Sequence, residues 1–124
     1  MNDLVAFLNA RLDERERRAA ASSPGPWRPN AEHDEVVAVD DVIVADGFAL
    51  SGPQLRATVD HIVDNDPDFV LADVAAKRKI IEMWEDGRDG GFVGGILRNC
   101  LDPVLRLLAL PFVGHPDYRA EWAV

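Results

Sequence analysis

Asp64, Asp66 and Asp68 stand at alternate positions in "DNDPDF", the spacing at which a calcium loop presents its first carboxylates. The pattern then stops. Phe69 occupies the position where an EF-hand needs glycine, and Ala75 stands where the closing glutamate belongs. Helix capping and solvation account for these carboxylates. In "EHDE", His33 is flanked by Glu32, Asp34 and Glu35. Consecutive residues of an extended chain face opposite ways, so they do not converge on one ion, and the segment reads as a solvated loop ahead of a strand. Cys100 and His115 are two further metal-ligating types. With one Cys and three His, the chain falls short of the four-ligand set of a structural zinc site, and Cys100 reads as a buried, inert thiol.

Nucleophilic catalysis needs an activated Ser or Cys beside a base. Ser22, Ser23 and Ser51 all fall in turn or cap contexts, and there is no "GxSxG". "GGFVGG" has the glycine content of a phosphate-cradling loop but lacks "GK[ST]" and a preceding strand; it reads as a flexible connector. Lys77, Arg78 and Lys79 form a small basic spot, expected on an exposed helix face with local ion pairs. Carboxylates are abundant, but no pair is singled out for acid–base work. The sequence therefore nominates no catalytic, cofactor-binding or metal-binding residue.

The elements around these groups follow from periodicity and punctuation. Leu4, Phe7, Leu8 and Leu12 fall at helical spacing, predicting a helix over 3–21 with Asn2 or Asp3 as its cap. Charges alternate in sign from Asp13 to Arg18, and Pro24-Gly25-Pro26 stops the helix. Two β-branched runs, Val36–Val39 and Val42–Ala45, flank Asp40-Asp41 and predict an antiparallel hairpin within 27–50, to which Trp27 adds another strand. Ser51 and Pro53 open a helix over about 53–64. Asp66, Pro67 and Gly87 bracket the clearest helix, 67–86, with Leu71, Val74, Ala75, Ile81 and Trp84 on one face and Asp73 and Lys77 at i,i+4. Asp102 and Pro103 open a closing helix over 103–110, apolar except for Arg106. A helix apolar nearly all round is expected to be buried, so this one is placed at the centre of the core. The expected fold is a single α+β domain over 1–124: a small antiparallel sheet packed by three or four helices, with Leu4, Phe7, Leu8, Val70, Val74, Ile81 and Trp84 in one core.

At 124 residues and 48% hydrophobic content, the chain can bury a core. A net charge of −9 disfavours attachment to nucleic-acid phosphates or anionic membranes. The lone cysteine suits a reducing cytoplasm. No signal peptide is visible, and no apolar run approaches the roughly 18 residues that span a bilayer.

Three segments together carry a resemblance. "DLVAFLNARLDERE" resembles the opening of a family of small uncharacterised proteins of actinobacteria and their phages. "NDPDFVLADVAAKRKII" is similar to that family's "HDPxxVLxxVxAKRxI" helix, and "LRLLALPFVGHPDYRAEW" to its C-terminal "LRxLALPYAxHPDYxxEW" signature. The family is a domain of unknown function, so the resemblance carries over no catalytic or binding residue. Some relatives carry extra cysteines before the closing helix; here that region holds only Cys100, which does not support a zinc knuckle. The resemblance also implies an actinobacterial or phage origin. The expectation is a non-enzymatic, cytoplasmic accessory protein without a cofactor. It acts by contact with a protein partner or as a homo-oligomer, without direct nucleic-acid or membrane contact. The alternatives are an acidic nucleic-acid mimic that inhibits a DNA-binding host protein, and a small enzyme or metal-binding protein.

Overall fold

A computed structural model describes residues 1–124. In chain order the elements are α1 (Asn2–Ala21), β1 (Arg28–Pro29), β2 (Glu35–Val37), β3 (Ile43–Asp46), α2 (Gly52–Asp64), α3 (Pro67–Asp86) and α4 (Gly91–Ala109). Short 3₁₀ turns occur at Gly87–Asp89, Leu110–Phe112 and Ala120–Trp122. The fold is α+β, and the sheet packs on helix α2. The chain forms two compact units, Met1–Glu14 with Val74–Val124, and Arg15–Asp73.

The unit Arg15–Asp73 holds the sheet, in the order β1-β2-β3 and antiparallel throughout. The hairpin between β2 and β3 has no glycine in its Asp40-Asp41 turn, and Asp41 takes φ 66° there. The Asp41 amide donates to the Ala38 carbonyl and the Ala38 amide to the Val42 carbonyl, a three-residue loop with a left-handed third position. Aspartate tolerates that conformation better than most residues. Arg28 reinforces the loop by donating to the Ala38 carbonyl at 3.0 Å and to the Asp41 carboxylate. Val36, Val37 and Ala38 are buried, as is Val59 of α2. "EHDE" is more ordered than a solvated loop. The Asn30 side chain accepts from the Asp34 and Glu35 amides at 2.9 Å each, and its amide donates to the Asp34, Glu35 and Glu32 carboxylates. His33, at φ 59°, meets Asp60 of α2 at 2.6 Å.

The other unit is built on the first turns of α1. Leu4, Phe7, Leu8 and Leu12 are buried, as the spacing predicts. So are Val74, Ile81 and Trp84 of α3, whereas Leu71 and Ala75 are exposed and Val70 half-buried. The apolar face of α3 is thus narrower than its composition suggests. The C-terminal tail wraps Phe7. The rings of Phe112, His115, Tyr118 and Trp122 lie 5.0–6.3 Å from it, all but Trp122 edge-on.

Helix α4 departs most from expectation. It starts at Gly91 rather than Pro103, so "GGFVGG" belongs to a turn and a helix instead of a connector. Pro103 lies inside the helix, and Asp102, instead of capping, accepts from the Trp84 indole at 2.6 Å. The reason is a backbone approach that only glycine permits. A Cβ on Gly94 would overlap the Gly87 carbonyl oxygen, and one on Gly87 would come 2.8 Å from the Gly94 carbonyl oxygen. Tight packing of α4 on the preceding turn offsets the entropic cost of helical glycine. The expected all-round burial is also absent. Leu105 and Ala109 are 0% exposed, but Leu107 is 52% and Leu110 46% exposed.

Candidate functional site

Two places within the α1/α4 unit are shaped for contact with another molecule. The first is an open cleft of about 620 Å³, walled by Asn2 and Asp3 at the start of α1, Trp84 of α3, and Arg98, Asn99 and Asp102 of α4. Its geometry rests on Trp84. The Arg98 guanidinium lies 3.7 Å from the ring centroid, and its Nε donates to the Trp84 carbonyl at 3.0 Å. The indole Nε1 donates to Asp102. The other carboxylate, Asp3, accepts from the Leu4 amide at 2.9 Å and from Arg119 at 2.6 Å. Partial burial opposes its ionisation, but the Leu4 amide, Arg119 and the N-terminal ammonium together hold its carboxyl below the usual carboxylate range. Both carboxylates of the cleft are thus committed to neighbouring donors. They fasten α4 to α3 and the C-terminal tail to α1, and the cleft offers a hydrogen-bonding surface rather than a poised acid–base pair.

The second place is the outer face of α4. At 3.6 residues per turn, Phe92, Ile96, Cys100, Pro103 and Leu107 fall within an arc of about 80°. All five are exposed, Phe92 at 85%. Gly94, Leu105 and Ala109 point the opposite way, into the core. This helix therefore carries two apolar faces and buries one. The stripe from Phe92 to Leu107 is roughly 22 Å long at the helical rise and contains no charged residue.

The chain matches the profile of a family described as a family of unknown function over residues 1–124. It belongs to that family, DUF6221. No curated protein and no solved structure matches it. Family membership gives this DUF6221 chain no assigned chemistry, so its functional residues are read from their own placement.

The residues weighed in the sequence distribute as follows. Asp66 is committed as the cap of α3, accepting from the Phe69 amide at 2.9 Å and from the Trp27 amide at 3.1 Å, while Asp64 and Asp68 face solvent. No three His, Cys, Asp or Glu side chains gather as a metal-binding group. Cys100 is exposed on α4, not buried. His115 sits in the aromatic nest around Phe7, where its Nδ1 accepts from Arg11 at 2.8 Å and from the Asp117 amide at 3.0 Å. Of the basic spot, Arg78 pairs with Asp13 at 2.7 Å and Lys79 with Glu82 at 3.4 Å. No helix is long and apolar enough to cross a membrane. Sequence reading missed the exposed stripe of α4 because an apolar residue carries no mark of which side of a helix meets the core. It also missed the Trp84–Arg98–Asp102 linkage, since those residues come from two helices. The helical spacing of Phe92, Ile96 and Cys100 was the available signal, hidden by treating the glycines around them as a connector.

Proposed function

We propose that this protein is a non-enzymatic accessory factor of actinobacterial or phage origin that works by docking onto another protein through the outer face of α4. The observation that carries this reading is the stripe Phe92–Ile96–Pro103–Leu107. Apolar side chains at successive turns of one helix cost solvation free energy unless something covers them. The chemistry of the partner follows from the surroundings. A chain of net charge −9 favours a contact surface that is apolar at its centre and basic at its rim, and the same charge disfavours a second copy. Ion pairs such as Arg78–Asp13 and Arg119–Asp3 interrupt the acidic surface, which weighs against mimicry of a continuous phosphate backbone.

The test combines light scattering with affinity capture from an actinobacterial lysate, using the wild-type chain and the triple variant Phe92→Lys, Ile96→Lys, Leu107→Lys. A partner retained by the wild type and lost by a triple variant with unchanged circular dichroism is the expected result. A monomer that retains no protein, or a partner held equally by both chains, would defeat the proposal. A dimer that dissociates in the triple variant would replace the foreign partner with a second copy.

A further inference from the structure

The unit Arg15–Asp73 holds a separate cleft of about 210 Å³, bordered by Arg15 and Arg18 of α1, Trp27, and Asn65, Pro67 and Val70 around the start of α3. We propose that this cleft binds a small organic anion: one apolar ring or short chain bearing a single carboxylate or phosphate head.

The positive charge bordering this cleft comes from Arg15 and Arg18. They stand one turn apart on one helix, where like charges repel. In a chain with 22 acidic and 13 basic side chains, each would be expected to find a carboxylate, yet neither enters an ion pair or hydrogen bond within the chain. The sequence explains why. Arg15 has Leu12, Arg18, Arg11 and Ala19 at its i±3 and i±4 positions. The one acid at such a spacing from Arg18 is Glu14, and Glu14 is held by Arg11 at 3.0 Å. Asp13 is held by Arg78. Arg18 partly offsets the negative C-terminal end of α1, but Arg15 lies a full turn earlier. Two unpaired arginines thus border one cleft, and an anionic head offsets their like charge while accepting charge-assisted hydrogen bonds.

The rest of the cleft supplies the apolar half of the ligand site. Trp27 is fixed at both ends: its indole donates to the Ser23 carbonyl at 2.9 Å and its amide to Asp66 at 3.1 Å. Pro67 is buried and Val70 half-buried beside it. The nearby Asp66 does not compete for the arginines, because its two oxygens accept from Trp27 and Phe69 amides. The volume lies below the roughly 300 Å³ at which drug-sized pockets begin, so the cleft suits a single ring.

Titration of the ¹⁵N-labelled full chain, following the Trp27 indole resonance identified with Trp27→Phe, tests this. Four probes are used: phenyl phosphate, benzoate, inorganic phosphate and benzyl alcohol. A saturable shift with phenyl phosphate or benzoate, weakened about tenfold for each arginine removed in Arg15→Gln and Arg18→Gln and weakened further by added salt, is the expected outcome. The stronger of the two anions identifies the head group. Far-UV circular dichroism confirms that the variants, altered at the surface, retain the fold. No saturable shift, equal binding of benzyl alcohol, equal binding of inorganic phosphate, or affinity unchanged in Arg15→Gln/Arg18→Gln would each overturn the proposal.

Discussion

Asp3 shows how one short side chain can tie together parts of the chain far apart in sequence. It receives the Leu4 amide beside it and the Arg119 guanidinium 116 positions away, and its carboxyl is held below the usual range despite partial burial. A carboxyl whose folded-state pKa is depressed stabilises the fold above its unfolded pKa, and that contribution is lost as pH falls through the folded value. Wild type and Asp3→Asn are therefore expected to differ in urea midpoint at about pH 5 and to converge near about pH 2. Arg119→Ala should raise the Asp3 titration midpoint, read by carboxyl-carbon NMR; an unmoved midpoint would show that the contact does not form in solution. The identities of Asp3 and Arg119 were legible in the sequence. Their meeting was not, because nothing local relates the first turn of a chain to its tail.

At the level of the element, α4 is where composition and packing disagree. The glycines at its start were expected to loosen the chain, but Gly94 lets the helix backbone pack directly on Gly87 of the preceding turn. The two kinds of glycine should respond oppositely to alanine. Gly94→Ala places a Cβ against the Gly87 carbonyl and is expected to destabilise by about 1–3 kcal/mol. A Cβ on Gly95 meets nothing within 4 Å, so Gly95→Ala should stabilise by about 0.5–1 kcal/mol through helix propensity alone. Chemical denaturation of the two variants settles the sign of each. The leucines of the same helix offer a second contrast. Leu105→Ala, at a site of 0% exposure, is expected to cost about 2–5 kcal/mol, and Leu107→Ala on the wet face about 1 kcal/mol or less. Equal losses would mean that the outer stripe is covered within the isolated protein. By comparison, α3 could be read almost directly. Asp66 and Pro67 define its start and Gly87 follows its end, because capping is a local reaction between neighbours.

For the whole molecule, the tail after α4 matters more than its irregular backbone suggests. Phe7 is enclosed by Phe112, His115, Tyr118 and Trp122, and Trp122 is 4% exposed. Ending the chain after Gly95 removes this nest together with Leu105 and Ala109. The fragment is expected to lose cooperative melting, which calorimetry would detect; a sharp transition at the wild-type temperature would refute the view that the tail completes the core. The cost of losing several buried aromatic and aliphatic groups exceeds the stability of an ordinary domain.

The amino-acid sequence by itself determined the class of the fold, the sites of the first three helices and the hairpin, and the identity of most of the α1 stripe. Those features depend on periodicity, capping and β-branching, which act between residues a few positions apart. Tertiary structure decided which side of α4 faces water, that Gly94 is a packing surface, and that Asp102 accepts from Trp84 instead of capping and His115 accepts from Arg11. It also decided that Arg15 and Arg18 lack carboxylate partners while Arg11 and Arg78 have them. Each of these depends on distances between residues remote in sequence, and a helix that is apolar on opposite faces gives no local indication of which one the core will take.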